Sequence, residues 1–191
     1  MSPKFIFVSN NFKFGNRREG DVGQLIDYEK KYGYKIIKPE PLKYQNKIAS
    51  STLVRSFLEK GYLKKANKLL KRNWTIIGKV EQGRKIGKKI GFPTCNIDIK
   101  NYVLAKPGVY AVKVNFKNFK FKIKGIANLG YRPTFSQKKL LLEVHLFNYS
   151  GNLYNKYLSV EFIKFIRAEK KFKNAKQLQK QIKSDLLAAK K

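Results

Sequence analysis

The 191 residues include one cysteine, one histidine and only 12 Asp plus Glu, and each scarcity closes off a class of function. Cys95 has no partner for an internal disulfide, so a stable fold has to rest on packed apolar side chains. His145 stands alone, which leaves a histidine metal cluster or a Ser-His triad little to build on; a structural role is the expectation for it. Long apolar runs are missing as well. No stretch would span a bilayer and the N-terminus carries no signal-type hydrophobic run, so a soluble protein at a cytoplasmic address, without membrane contact, is expected. What the chain has in excess is positive charge, with 43 Lys plus Arg and a formal net charge of +31. Such a balance attracts polyanions, because phosphate neutralisation releases counterions. The lysines are nevertheless spread over every part of the chain, without zinc-finger spacing, a basic region joined to heptads or an aromatic ribonucleoprotein signature. Nonspecific nucleic-acid binding at low salt is expected, and no specific nucleic-acid partner. With 42% hydrophobic and 14% aromatic residues, one or two small cores can form.

Periodicity divides the chain near residue 72. Before it, the apolar run 5–8, a helical stretch over 20–32 with Val22, Leu25, Ile26, Tyr28 and Tyr32 on one broad face, and the run 34–37 predict a strand-helix-strand unit with parallel pairing. Two more helices follow. One opens at Ser50-Ser51-Thr52, whose hydroxyls suit a cap, and the other covers 62–72 with Leu63, Ala66, Leu69 and Leu70 on one side. From Trp74 onward, strands are predicted at 74–80, 108–116, 121–126, 140–147 and 157–165, for which an antiparallel barrel is the natural closure. A last helix from about Asn174 repeats Ala175, Leu178, Ile182 and Leu186 at helical spacing.

The most informative segment is Gly83-Arg84-Lys85-Ile86-Gly87-Lys88-Lys89-Ile90-Gly91-Phe92-Pro93-Thr94-Cys95-Asn96. Three glycines four apart permit close ligand approach, Pro93 stiffens the exit, and Thr94 and Asn96 offer neutral oxygen ligands beside two lysines. A Walker A loop is excluded: Gly83 and Gly87 are separated by three residues rather than four, and Lys89 stands where the hydroxyl is required. The segment resembles the glycine-rich entry and Pro-Thr-Ala-Asn motif of riboflavin kinases, which phosphorylate riboflavin to FMN with ATP and a divalent metal. The resemblance continues in order through Gly108-Val109-Tyr110-Ala111-Val112, the block from Ala127-Asn128-Leu129-Gly130 to Tyr131-Arg132-Pro133-Thr134-Phe135, Leu142-Glu143-Val144-His145-Leu146, and Arg167-Ala168-Glu169-Lys170-Lys171-Phe172. It covers residues 74–191. It implies an α+β chain whose C-terminal part, 73–191, is an antiparallel Greek-key β-barrel with a C-terminal helix.

Several roles follow from that resemblance. Alternation along 140–147 puts Leu140, Leu142, Val144 and Leu146 on one face and Leu141, Glu143, His145 and Phe147 on the other. Read alone, Glu143 is a partner for a cross-strand lysine; inside the matched block it corresponds to the family's catalytic base, which orients the attacking hydroxyl and accepts its proton. Thr94 and Asn96 face the same way in an extended segment and are expected to hold one Mg²⁺ that bridges the phosphates of ATP. ATP contacts are expected at Gly83, Gly87, Lys88, Lys89, Gly91, Thr94 and Asn96, the lysines neutralising the transferred phosphoryl group. The chain departs from the family in having Lys88 for an arginine, Gln82 for a histidine and Cys95 for the motif alanine. Arg167, Glu169 and Phe172 match a loop near the flavin, or else mark a strand end with Phe172 as core.

Residues 1–72 resemble the last part of the FMN adenylyltransferase domain that precedes this kinase in many bacteria, with Asn11-Phe12-Lys13-Phe14-Gly15 and Ser50-Ser51-Thr52-Leu53-Val54-Arg55 as the matching blocks. The resemblance therefore implies a truncated α/β nucleotidyltransferase segment. That family's histidine-containing nucleotide motif is not in this chain, and Asn11 replaces an acid, so adenylyl transfer is not expected. The segment is either a docking remnant or one part of a bifunctional FAD synthetase completed by another polypeptide. An incomplete strand-helix-strand layer leaves an open edge, from which homo-oligomers or such a partner are expected.

Overall fold

The computed structural model describes residues 3–83, 86–99, 102–103, 105–116, 121–133 and 138–190. Two compact units are present, Met1–Ala49 and Ser50–Lys191.

In the first unit, β1 (Phe5–Phe7) is followed by the short strands β2 (Lys13–Phe14) and β3 (Gly20–Asp21), which pair antiparallel. Asp21 caps α1 (Val22–Asp27) by accepting the Gln24 backbone N–H at 3.1 Å. Where the sequence pattern predicts one helix, Tyr28 interrupts it, and α2 (Glu29–Tyr32) ends at Gly33 in the left-handed conformation. β4 (Lys35–Ile37) then pairs with β1 in parallel, as expected for a strand-helix-strand unit. β5 (Lys43–Tyr44) and β6 (Lys47–Ile48) form a hairpin across Gln45 and Asn46, both at positive φ. The predicted apolar helix face is only partly covered: Val22 is buried, but Ile26, Tyr28 and Tyr32 are exposed, as are Phe5 and Phe7 on the strand.

The second unit opens with α3 (Ser51–Glu59), capped by the Ser50 hydroxyl, and α4 (Leu63–Leu70). Both helices pack on the barrel that follows. Leu58, Leu63 and Ala66 belong to its core, and Asn67 ties α4 to Trp74 N–H and to the Phe162 carbonyl. The compact units therefore part at 49/50, whereas the pattern along the sequence changes at 72/73.

The barrel strands are β7 (Thr75–Glu81), β8 (Cys95–Asp98), β9 (Gly108–Phe116), β10 (Ile123–Pro133), β11 (Lys138–Leu146) and β12 (Tyr157–Ala168), with the single-turn α5 (Ile86–Lys89) between β7 and β8. They close in the order β10-β11-β8-β7-β12-β9, every neighbouring pair antiparallel. β9, β10 and β11 form a meander with β8 returning beside β11, a Greek-key arrangement. Side chains at every second position fill the interior: Ile76 and Val80, Ile97, Tyr110, Val112 and Val114, Ala127 and Leu129, Leu142 and Val144, and Leu158, Val160 and Phe162 are all buried. Trp74 and Tyr110 pack on Phe162 with ring centroids 4.5 and 5.1 Å apart. The other set of positions faces outward, and over one sector the terminal helix α6 (Ala175–Lys190) covers it, lying against β9, β10 and β12.

Candidate active site

Under α6 the outer face of the barrel forms a cavity of about 300 Å³. Its floor is set by strand register. Glu143 on β11 is paired across the sheet with Asn128 on β10 and with Asn96 on β8; Asn128 is paired with Val109 on β9, and Val109 with Arg167 on β12. Directly opposed residues stand about 5 Å apart. One row of partners therefore carries Asn96, Glu143 and Asn128 side by side, with Arg167 at its far end. All four line the cavity, and Glu143 sits between two carboxamides.

One end of the cavity is built by the glycine segment. Gly83 and Gly87 line it together with Thr94 and Asn96. A Cβ placed on Gly83 would overlap the Asn96 amide nitrogen, and one on Gly87 would overlap the Phe92 carbonyl and stand 3.1 Å from Thr94 Oγ1. Both positions must therefore be glycine for the hydroxyl and the carboxamide to occupy the places they do. The turn closes through Phe92 N–H donated to the Gly87 carbonyl at 2.8 Å, with Gly91 at positive φ. His145, two residues from Glu143 on the same face, reaches the Pro93 carbonyl from Nδ1 at 2.7 Å. Asn96 is buried, Thr94 exposed and Glu143 half-buried. Among the described residues no group of three His, Cys, Asp or Glu side chains is placed to hold a metal. The oxygens available here are a hydroxyl, a carboxamide and one carboxylate. That set suits a hard cation that keeps most of its waters and its phosphate ligands.

Val109, Ile126, Phe172, Leu178 and Ile182 give the cavity apolar and aromatic walls. Its geometry is fixed by a residue that carries no signal in the sequence motifs. Asp185 on α6 is 2% exposed and receives Arg167 Nε at 2.9 Å and Nη2 at 2.8 Å, while Gln181 donates to it at 3.0 Å. The remaining arm of Arg167 donates to the Ala168 carbonyl, and the guanidinium lies over the Phe172 ring at 5.8 Å. The Arg167 guanidinium is thereby engaged in holding the helix and the loop after β12 together. The Glu169 carboxylate packs against Gly130, where a Cβ would overlap it. Ile90, Phe92, Ala127, His145, Tyr154 and Lys170 complete the lining.

Of the residues singled out in the sequence, Gly83, Gly87, Thr94, Asn96, Glu143, Arg167, Glu169 and Phe172 converge on this one cavity. Lys88 is exposed and, like Gly91, is not part of the lining. The Lys89 side chain, and Arg84, Lys85, Thr134 and Phe135 of the motif blocks, lie outside the described residues. Asn128 and Asp185 are additions. Asp185 was legible in principle, since it follows Leu178 and Ile182 at helical spacing and is an acid on the apolar stripe of a lysine-rich helix. Cys95 points into the barrel wall, donates to the Val144 carbonyl and has its thiol pushed up to about 11 by burial.

Comparison with known proteins bears on the same residues. A family model described as Flavokinase: Riboflavin kinase matches residues 70–191. The Bifunctional riboflavin kinase/FMN adenylyltransferase of Buchnera aphidicola subsp. Schizaphis graminum is 42% identical over 195 residues, which cover 100% of this chain and 62% of that protein. The protein of the same description from Haemophilus influenzae is 39% identical over 190 residues, covering 100% of this chain and 61% of the relative. The chain thus spans about three fifths of the length of these curated relatives. Among solved structures, one described as a macrolide-efflux protein from Streptococcus pneumoniae superposes with a TM-score of 0.84 at 28% identity, over 98% of this chain and 60% of that one. No helix among the described residues is long and apolar enough to cross a membrane.

Proposed function

We propose, from the premise that this chain belongs to the riboflavin kinase family, that it transfers the terminal phosphoryl group of ATP to the end hydroxyl of the riboflavin side chain, giving FMN and ADP. The observation that carries the reading is the register row: it seats Glu143 between Asn96 and Asn128 in a cavity lined both by Gly83 and Gly87 and by apolar and aromatic side chains. A flavin is a planar aromatic system with a polar chain. The apolar walls suit the ring system, and a cavity of about 300 Å³ is within the range of small-molecule sites. The polar chain then reaches the row, where Glu143 orients the hydroxyl and accepts its proton as the new O–P bond forms. The backbone of Gly83 and Gly87 lets the phosphates approach, with Lys88 and Lys89 near enough in sequence to supply positive charge.

Thr94 and Asn96 would hold Mg²⁺, and when bound it supplies charge neutralisation at the phosphates. Glu169 and Phe172 would close over the flavin, with Arg167 stiffening that wall through Asp185. Residues 1–72 would be an adenylyltransferase-like segment, and a cytoplasmic address fits the substrates. The relatives' printed description also names FMN adenylyltransferase, so a bifunctional assembly completed by an upstream half is the second reading. Incubation of the purified chain with riboflavin, ATP and Mg²⁺, followed by separation of the flavins, tests both. FMN alone is the expected product, FAD would favour the second reading, and no turnover with salt-sensitive polyanion binding would leave only a basic nucleic-acid-binding protein.

A further inference from the structure

We propose that His145 is the positioning residue of this site: its Nδ1–H holds the Pro93 carbonyl, so that Thr94 and Asn96 stay in register with Glu143. The inference deepens the kinase reading and rests on it. The β8–β11 ladder ends at the pair Cys95 and Val144. One step further would bring Thr94 opposite His145, and beyond that Pro93 has no N–H to continue the ladder. The backbone pairing stops beside the residues that matter most. The His145 side chain takes over the missing link, reaching Pro93 O at 2.7 Å from the strand that carries Glu143 two residues earlier.

The ring has little freedom to do otherwise. Phe92 meets it edge-on at 6.0 Å and Phe147 packs at 6.1 Å on a tilt. From the other side of the turn, Gly87 accepts the Phe92 N–H and stands close to Thr94 Oγ1. Thr94 is therefore held between the Gly87 backbone and a carbonyl clamped by His145. A carbonyl oxygen only accepts, which requires the proton on Nδ1 and leaves Nε2 bare in the neutral ring. Without the clamp the Pro93–Thr94 turn can drift relative to Glu143, and reactions that depend on near-attack geometry respond steeply to such drift.

His145 is the only histidine, so ¹⁵N-histidine labelling of the untagged full chain reports one imidazole. At about pH 8, above the ordinary imidazole range, the expected spectrum shows a protonated Nδ1 and an unprotonated Nε2; a bare Nδ1 would overturn the proposal. In kinetics, His145→Leu is expected to lower kcat by about 10–100-fold and to raise the Mg²⁺ concentration for half-activation, with the riboflavin KM nearly unchanged. His145→Asn keeps an N–H donor and should recover most of the loss. Wild-type kcat in His145→Leu, or no recovery in His145→Asn, contradicts the assignment. If His145→Leu does not fold, the ring tautomer and the His145→Asn kinetics decide. A wild-type chain that makes no FMN yet shows the Nδ1–H tautomer would overturn the kinase reading while leaving the clamp in place.

Discussion

At the scale of single residues, function here depends on atoms that nearly touch. A methyl group on Gly83 overlaps the Asn96 amide, so Gly83→Ala has to displace a group that the account places beside the nucleotide phosphates. A shift of about 1 Å in such a group costs roughly 100-fold in rate, and a steady-state assay of Gly83→Ala should show a loss of that order with thermal stability nearly unchanged. Cys95 behaves as a packing residue. Burial keeps its thiol protonated, with a pKa pushed up to about 11, so iodoacetamide at pH 8 should label it slowly in the native chain and rapidly once denaturant exposes it; fast native labelling would refute its burial. Thr94, Asn96 and Glu143 were legible because hydroxyl, carboxamide and carboxylate stood in motif blocks where packing alone gave no reason for them. Asn128 was not, since asparagine is a weak strand former and turn residue, and only its register opposite Glu143 reveals its place.

At the scale of elements, the cavity exists because α6 is fastened to β12. Asp185 is 2% exposed and its charge is met by Arg167 and Gln181. Removing one partner of such a buried pair leaves the other charge uncompensated, so Asp185→Ala should cost about 3 kcal/mol in denaturant unfolding and speed hydrogen exchange across residues 175–190. Arg167→Ala combined with it should cost much less than the sum of the two single changes. The barrel strands and the last helix were legible from periodicity, yet two elements were not. β8 is only the four residues Cys-Asn-Ile-Asp, too short and too polar to show as a strand before its pairing with β7 and β11 is known. β10 continues to Pro133 where the pattern ended at Ile126, because Asn128 and Gly130 are weak strand formers that pairing overrides, with β9 and β11 at Asn128 and with β11 from Gly130 on. The helix over 20–32 divides at Tyr28, whose N–H closes α1 on the Gln24 and Ile26 carbonyls and which opens α2.

At the scale of the whole molecule, a formal charge of +31 acts on every encounter with an anion. A random DNA duplex should be retarded at roughly 50 mM salt and released by about 200 mM, without sequence preference; binding that survives salt or selects a sequence would point to a dedicated nucleic-acid surface. The broad architecture, an α/β segment ahead of an antiparallel barrel and a helix, followed from the change in hydrophobic period near residue 72. Where the compact units part did not follow, because α3 and α4 read as helices of the first segment but bury Leu58, Leu63 and Ala66 in the barrel core. The proposed reaction turns on Glu143 in its row between Asn96 and Asn128. The most direct test measures FMN formation and riboflavin affinity together for the wild-type chain and Glu143→Gln. Glu143→Gln is expected to lose about 100-fold or more in kcat while binding riboflavin within a few-fold of wild type. Undiminished FMN formation by Glu143→Gln would contradict it.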